Sequence, residues 1–212
     1  MLRIVRETVG EFQENSYLVM DDVSHHAVLV DPGAEPARLL KMVNDAGARL
    51  KAIWLTHAHL DHVGAIKGVR RRHEVPVYLH SLDRPLYARA AEFAAMYGLP
   101  FEQPDPPDKE LAEGDVLTVD GLAFHVLHVP GHAPGHVMFC GHGVVLAGDL
   151  LFRGSVGRTD LPYCSAGDMK VSLIRVSALP AETRVFPGHG EPTTIGEELD
   201  LNPFLNGAAL PR

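Results

Sequence analysis

The sequence contains little of what several classes of protein require. Among its 212 residues the only cysteines are Cys140 and Cys164, too few for the disulfide framework of a small secreted protein. No apolar run approaches the ~18 residues that a membrane-spanning helix needs. The first residues lack the apolar core of a signal peptide. These absences predict a cytoplasmic protein that does not act at a membrane.

Basic residues are also scarce. The chain has 19 lysine and arginine residues against 27 aspartate and glutamate residues, a net charge of −8 with neutral histidines. A surface that binds a phosphate backbone needs the opposite balance, so we expect no nucleic-acid partner. The length and the 46% hydrophobic content predict one domain over residues 1–212 with a substantial core. The sequence leaves the oligomeric state open.

Histidine, in contrast, is concentrated in one short stretch. Residues 56–62 read Thr-His-Ala-His-Leu-Asp-His, with potential metal ligands at His57, His59, Asp61 and His62. In an extended segment residues i and i+2 point to the same side, so His57 and His59 can share one cation. After the chain turns, Asp61 and His62 can reach a second cation. Imidazole and carboxylate without a nearby thiolate suit zinc, iron or manganese in an open site.

Hydrophobic periodicity and turn residues predict strands grouped with flanking helices, an arrangement that occurs twice without a residue-level repeat. The histidine cluster lies between a predicted strand and a predicted helix, where α/β folds commonly hold functional side chains. We expect helices at 35–46, 63–72, 82–97 and 166–179. We expect strands at 2–9, 16–20, 27–30, 51–55, 75–79, 115–119, 122–129, 137–140, 144–147 and 184–186.

Three more candidate ligands follow predicted strands later in the chain. His132, Asp149 and His189 each come directly after a glycine. Glycine allows the tight turn that brings a side chain toward a shared centre. Each Gly-His or Gly-Asp pair alone is common in turns. Three of them at strand ends, added to the first cluster, favour a single metal centre.

The set His57-x-His59-x-Asp61-His62, His132, Asp149 and His189 resembles the full ligand signature of the metallo-β-lactamase superfamily. The resemblance implies a four-layer αβ/βα sandwich with two divalent metal ions at one edge, zinc being preferred to iron or manganese. It implies that the first metal is held by His57, His59 and His132. The second would be held by Asp61, His62 and His189, and Asp149 would bridge the two.

Within the superfamily, residues 29–33, 148–162, 186–190 and 202–205 resemble the short glyoxalase II-like (hydroxyacylglutathione hydrolase-like) hydrolases. This resemblance implies a small-molecule thioester substrate such as S-lactoylglutathione. It also implies that Asp61 is catalytic, binding metal and orienting the attacking hydroxide. Typical glyoxalase II proteins have a helical C-terminal domain that supplies glutathione contacts, and the stretch after His189 is too short for one. We therefore expect weak binding of the glutathione part.

Three further residues resemble family positions close to the ligands. Arg158 resembles a basic residue that binds a glutathione carboxylate; the alternative is an exposed arginine paired with Asp160. Asp31 ends a buried strand and resembles a position that supports the ligand loops, so we expect it beside the ligands rather than among them. His136 lies four residues after His132. Because the seven ligand positions are already filled, we expect His136 to support the site or to be structural.

Other functions are compatible with the same ligands. Persulfide (sulfur) dioxygenases share the fold and a Gly-Arg-Thr-Asp segment like residues 157–160, but they use one iron ion. Hydrolysis of another ester or of a lactone is a further alternative. A β-lactamase is disfavoured because those enzymes commonly use a cysteine at the position of Asp149. A non-catalytic scaffold is disfavoured because all seven ligand positions are occupied. The leading prediction is a dinuclear metal-dependent thioester hydrolase.

Overall fold

The computed structural model describes residues 1–206; residues 207–212 of the predicted domain lie outside the described residues. Within residues 1–206 the strands form two six-stranded sheets and one separate hairpin. In spatial order, the first sheet contains β1 (Leu2–Val9), β2 (Glu14–Asp21), β3 (His26–Val30), β4 (Arg49–Trp54), β5 (Val77–His80) and β6 (Lys109–Leu111). In spatial order, the second contains β14 (Thr193–Thr194), β13 (Arg184–Pro187), β10 (Val144–Gly148), β9 (Val137–Gly141), β8 (Leu122–His128) and β7 (Val116–Val119). The hairpin pairs β11 (Leu151–Phe152) with β12 (Ser155–Val156).

Both sheets mix parallel and antiparallel pairs. In the first sheet β1, β2 and β3 are antiparallel neighbours, whereas β3 to β6 run parallel. In the second sheet β10 and β13 are parallel, and the other neighbours are antiparallel. Parallel neighbours place their carboxyl ends at the same edge of a sheet. The ends of β3 and β4, and those of β10 and β13, therefore open onto the same region.

Helices cover the outer face of each sheet. The helices are α1 (Pro36–Asp45), α2 (Leu60–Val63), α3 (Ile66–Arg70), α4 (Arg84–Ala88), α5 (Ala90–Met96), α6 (Ala166–Ser177) and α7 (Ile195–Leu201). Buried side chains of α1 to α5 pack with those of the first sheet. Buried side chains of α6 and α7 pack with those of the second. In the described part of the chain, no helix combines the length and apolarity needed to cross a bilayer.

The alternation of side chains along the strands explains the layers. In β2, Leu18 and Met20 belong to the core under the helices, whereas Tyr17 and Val19 belong to the core between the sheets. Successive side chains of a strand point to opposite faces, so a sheet of such strands must be covered on both sides. Trp54 fills the centre between the sheets. The result is a helix–sheet–sheet–helix arrangement, which confirms the predicted four-layer αβ/βα sandwich.

Two predicted helices are broken in the structure. The helix expected at 63–72 starts earlier, as α2, and is interrupted at Gly64 and Ala65 because the Ala65 amide donates to Pro32 O at 2.9 Å instead of continuing the helix. The helix expected at 82–97 is a 3₁₀ turn (Ser81–Asp83) followed by α4 and α5. It breaks at Arg89, whose backbone leaves the helical region at φ −106° and ψ 8°.

The remaining differences concern short elements. The sequence pattern predicts neither the strands β6, β11, β12 and β14 nor the helix α7. Each of these strands has two or three residues, too few to show a period. Helix α7 contains three apolar residues, three acidic residues and Gly196, and it is recognisable by its cap, where the Thr194 side chain accepts from the Glu197 amide. Two of them border the site: β14 pairs with β13, and the Phe152 ring of β11 lies 5.9 Å from the His189 ring, centroid to centroid.

Candidate metal centre

The structure brings all seven predicted ligands to one edge of the sandwich. The end of β4 leads into His57 and His59, and α2 carries Asp61 and His62. Strand β8 of the second sheet leads to the loop with His132, and β10 and β13 lead directly to Asp149 and His189. The site thus takes side chains from both sheets.

Three histidines form the first of two groups. The three-histidine group (His57, His59 and His132) has ligand nitrogens that all lie within 4.8 Å of one another. His59 Nδ1 and His132 Nε2 are 2.8 Å apart. His57 and His132 are buried, while His59 is partly exposed. The arrangement leaves one side of the group open to solvent, as in a site that binds a further ligand.

The aspartate–histidine group (Asp61, His62 and His189) also has its ligand atoms within 4.8 Å of one another. Asp149 joins it to the three-histidine group. Asp149 Oδ2 is 3.4 Å from His132 Nε2 and 3.4 Å from His189 Nε2. Asp149 Oδ1 is 3.4 Å from His62 Nε2. One carboxylate therefore faces both groups, the position predicted for a bridging ligand.

Glycines make this close approach of Asp149 possible. A Cβ atom at position 188 would lie 2.1 Å from Asp149 Oδ1. Gly148 has φ +49°, and a Cβ atom there would lie 2.4 Å from Thr56 Oγ1. Crowding requires glycine at position 188, and both crowding and the left-handed backbone conformation require it at position 148. The Gly-Asp and Gly-His pairs seen in the sequence are thus steric requirements of the site.

Asp31 orients two of the histidines without being among the ligands itself. Its carboxylate accepts from the Thr56 amide (2.8 Å), from Thr56 Oγ1 (2.6 Å) and from His62 Nδ1 (3.1 Å). Thr56 Oγ1 gives its proton to Asp31, so it accepts from His57 Nδ1 at 3.0 Å. Both imidazoles carry the proton on Nδ1 in this network, which leaves each Nε2 lone pair free to bind a metal. Although Asp31 lies close to His57 and His62, both of its carboxylate oxygens already accept hydrogen bonds.

The loop carbonyl of Arg158 and the ring of His136 hold two more ligands. His132 Nδ1 donates to Arg158 O at 2.9 Å, which directs His132 Nε2 toward Asp149. His136 Nε2 accepts from the Asp149 amide at 3.0 Å. The His136 ring also stacks on His57, with centroids 5.0 Å apart. His136 therefore contacts two predicted ligands, His57 and Asp149.

Burial and charge divide the histidines into two kinds. Burial holds the pKa of His57 well below its usual value and lowers the pKa of His59 to about 3, so both are neutral. Burial would also lower the pKa of His189, but the carboxylates of Asp149 and Asp61 outweigh it and raise the pKa to about 10. A protonated His189 balances the carboxylates here. A bound cation would supply the same positive charge.

The donor atoms fit divalent cations. Within residues 1–206, His57 Nε2, His62 Nε2 and Asp149 Oδ1 are buried and have no hydrogen-bond partner. A buried polar atom without a partner is costly, and such atoms in a native site call for an ion or a water. The salt-bridge partners of Asp61 and Asp149 in the described residues are all histidines. These nitrogen and carboxylate donors are compatible with a dinuclear metal site.

The comparison with protein families agrees with this geometry. The family model described as the metallo-beta-lactamase superfamily matches residues 9–189, which is most of the chain and all seven predicted ligands. The chain belongs to the metallo-β-lactamase superfamily. It is thus related to a family of hydrolases, and its sandwich is the fold expected of a member.

Relatives of this superfamily member carry different names. Hydroxyacylglutathione hydrolase GloC of Haemophilus influenzae is 40% identical over 206 residues, or 93% of this chain and 95% of that protein. The structure of the BLEG-1 B3 metallo-beta-lactamase has a TM-score of 0.91 at 36% identity, covering 97% of this chain and 100% of that one. The structure of TTHA1623 in a di-iron-bound form has a TM-score of 0.88 at 47% identity, covering 95% and 100%. The names are those of a hydroxyacylglutathione hydrolase, a metallo-beta-lactamase and a di-iron-bound protein, so the similarity shows the family rather than one substrate or one metal.

The Arg158 side chain does not extend freely into the site of this superfamily member. Its guanidinium makes two hydrogen bonds with Asp160, at 2.7 and 2.9 Å. This is the arrangement that the sequence analysis gave as the alternative to carboxylate binding. The side chain still lines the cavity beside the ligands. Its charge, however, already has a partner.

Sequence reasoning missed two buried carboxyl groups that support the ligand loops. Glu14 begins β2, and its Oε1 lies 3.9 Å from His62 Nδ1. Asp83 accepts from the amides of Ala58 and Gly135, and so joins the loop of His57 and His59 to the loop of His132. Neither residue belongs to a ligand-like pattern. The one available signal for Glu14 is a run of polar residues, Glu14 to Ser16, that opens an apolar strand.

Asp83→Asn tests this connection between loops. We expect the variant to lose about 1–3 kcal/mol in free energy of unfolding, because one buried amide loses its acceptor. Burial raises the pKa of Asp83 from 3.8 to about 7. A raised carboxyl pKa contributes stability that is fully present below the unfolded pKa and is lost as the pH rises through the folded pKa. The advantage of the wild type over the variant should therefore shrink between about pH 4 and pH 8.

Urea unfolding of both proteins across this pH range measures the effect. Other groups titrate in both proteins, so the difference between them isolates Asp83. Asp200→Asn, at an exposed position of α7, is the matched control and should change stability by less than about 0.5 kcal/mol. An advantage of the wild type that grew with pH would contradict the assignment.

Proposed function

We propose that this chain is a dinuclear metal-dependent hydrolase of a small-molecule thioester, of the S-lactoylglutathione type. The observation that carries the proposal is the position of Asp149, 3.4 Å from nitrogens of both ligand groups. A carboxylate so placed can serve two cations at once. The 40% identity with hydroxyacylglutathione hydrolase GloC supports the choice of a thioester among the substrates of this superfamily.

Each ligand group would hold one divalent ion. His57, His59 and His132 would hold the first, Asp61, His62 and His189 the second, and Asp149 would contribute to both. Zinc suits these nitrogen and carboxylate donors, with iron and manganese as alternatives. When bound, two such ions act as Lewis acids and lower the pKa of a bound water.

The chain's own residues divide the remaining work. Asp61, Asp149 and His189 line the cavity beside the centre, whereas His57 and His62 are buried behind it. Asp61 is partly exposed, so one of its oxygens can accept a hydrogen bond from the attacking water and orient it toward the thioester carbonyl. Asp31 and Thr56 keep the imidazoles behind it in place. Asp61 is therefore proposed as the catalytic residue as well as a ligand.

Metal content tests the dinuclear part of the proposal. Wild-type protein loaded with zinc should contain close to two ions per chain by mass spectrometry of the eluted metal. His189→Ala should mainly empty the second site, and an Asp149→Ala variant should lower occupancy of both, because Asp149 faces both groups. His125→Ala, an exposed histidine on β8, is the control and should keep both ions. A wild-type content that stays near one under metal excess would contradict the dinuclear site.

Thioester hydrolysis tests the reaction itself. Metal-loaded protein should release free thiol from S-lactoylglutathione without oxygen, and with a high KM because the glutathione part is weakly bound. Thiol release under anaerobic conditions, followed with a colorimetric thiol reagent, measures it. Oxygen uptake with glutathione persulfide, together with no thioester hydrolysis in any metal form, would refute the proposal and favour a sulfur dioxygenase.

Asp61→Asn separates metal binding from orientation of the nucleophile. If Asp61 also orients the attacking water, kcat should stay depressed by about 10² or more even when excess metal restores full occupancy. The measurement is kcat at saturating substrate alongside the metal content of the same sample. Full recovery of kcat at full occupancy would show that Asp61 is a ligand only.

A further inference from the structure

A cavity of about 510 Å³ lies against the metal centre. Its lining includes five of the seven predicted ligands, His59, Asp61, His132, Asp149 and His189. The volume is that of a typical small-molecule site. Whatever occupies the cavity therefore meets the partly exposed side of both ligand groups.

One side of the cavity is apolar and unusually exposed. The apolar wall consists of Phe12 from the turn before β2 and of Phe93, Met96 and Tyr97 in and after α5. Phe12, Met96 and Tyr97 are 38%, 76% and 56% exposed. The rings of Phe12 and Tyr97 pack edge to face, with centroids 5.4 Å apart. Large apolar side chains that are exposed together at a cavity mark a surface that a ligand covers.

A second apolar set completes the lining. Phe152, Val156, Leu161 and Pro162 come from the β11–β12 hairpin and the loop that follows it. The Arg89 guanidinium donates to the Tyr163 hydroxyl at 2.9 Å, which joins the start of α5 to this loop. The segments that carry the two apolar sets are therefore connected by a hydrogen bond at the surface.

Charged partners for a ligand are scarce in this cavity. Among the described residues that line it, Arg158 is the one charged side chain besides the predicted ligands. It already makes two hydrogen bonds with Asp160. Glutathione carries two carboxylates and one ammonium group, and a desolvated charge without a partner is costly. The lining thus offers few ionic partners to a glutathione group, whereas it offers many apolar contacts to an apolar group.

We propose that the preferred substrate is a small thioester with an apolar acyl or thiol group, which packs against Phe12, Phe93, Met96 and Tyr97 while its carbonyl lies beside Asp61. This inference rests on the proposed function, since it assumes that a thioester is cleaved at the metal centre. It keeps thioester hydrolysis as the reaction but replaces the glutathione group of the substrate by an apolar group. It also assigns the apolar wall as the surface that determines specificity.

Two series of thioesters measure the preference. Hexanoyl and acetyl thioesters of N-acetylcysteamine vary the acyl group with the thiol fixed. Acetyl thioesters of hexanethiol and ethanethiol vary the thiol with the acyl group fixed. A buried methylene contributes about fourfold to affinity, and four partly buried ones should give a ratio of kcat/KM of at least ~10 between the longer and the shorter substrate. A kcat/KM ratio of this size should be measured in at least one of the two series. The longer substrate of that series should also have a higher kcat/KM than S-lactoylglutathione.

Met96→Gln tests the apolar wall directly. The side chain is exposed and of similar size, so the fold should tolerate the change, and the ratio between long and short substrates should fall about threefold to tenfold. Phe93→Ala, at a half-buried position, should lower it further. Ile174→Gln is the matched control, because Ile174 is 65% exposed on the distant helix α6. The control should keep the wild-type ratio.

Binding provides a readout that does not depend on hydrolysis. Hexyl and methyl thioethers of N-acetylcysteamine resemble the substrates but have no cleavable bond. By calorimetry of the metal-loaded protein, the hexyl compound should bind at least ~10-fold more tightly, with a more negative heat-capacity change from apolar burial. Met96→Gln should reduce both differences.

The outcomes separate this inference from the proposed function. Hydrolysis with equal kcat/KM for long and short substrates, or a clear preference for S-lactoylglutathione, would overturn the inference and leave the function standing. No hydrolysis of any thioester would overturn the function. The calorimetry would then test only whether the apolar wall binds an apolar group. Equal binding of the two thioethers would overturn that role, and tighter binding of the hexyl compound would support it.

Discussion

The hydrogen bonds of the Asp31 carboxylate are the constraint on which the centre depends. Asp31 orients His62 directly and His57 through Thr56, and these two histidines belong to different ligand groups. A buried carboxylate with three donors is satisfied in only one arrangement of its neighbours, so the imidazole orientations are fixed together. Asp31 sits at the end of β3, next to the end of β4. The geometry of both groups is thereby tied to one pair of parallel strands.

The second sheet is joined to the first by hydrogen bonds around the site. The Val137 amide donates to Thr56 O at 2.8 Å, and the Tyr17 hydroxyl and Asn15 amide group donate to Pro187 O at 2.6 and 3.1 Å. The Asn15 backbone amide also donates to Gly188 O at 2.7 Å, whereas the apolar packing between the sheets lacks direction. Ligands from both sheets can converge within a few ångströms because these polar contacts fix the register between them. Cations bound there would add a further connection, so metal should stabilise the folded chain.

The seven predicted ligands have a local signal in the sequence: a histidine cluster after an apolar strand, and glycine before His132, Asp149 and His189. The layers followed from the two-residue alternation of the strands and from the family resemblance. The supporting carboxyl groups Glu14 and Asp83 were not predictable, because their roles come from contacts with residues far along the chain. The break at Ala65 has the same origin, since its amide bonds to Pro32 rather than within a helix. Local sequence patterns therefore predict the ligand positions, whereas the residues that support these ligands depend on long-range contacts.

The structure also separates the predicted ligands from the apolar wall that we propose determines specificity. The ligands lie at strand ends or in α2, and Asp31, Thr56, Asp83 and His136 hold them from behind. The exposed side chains of the apolar wall come from a turn and from the end of α5. Changes there leave the ligand network untouched, because none of its hydrogen bonds passes through the wall. Related chains can therefore keep one centre and differ in substrate, which is consistent with the different names found among close relatives. For this chain, the apolar lining and the paired Arg158 favour an apolar substrate group over a charged one.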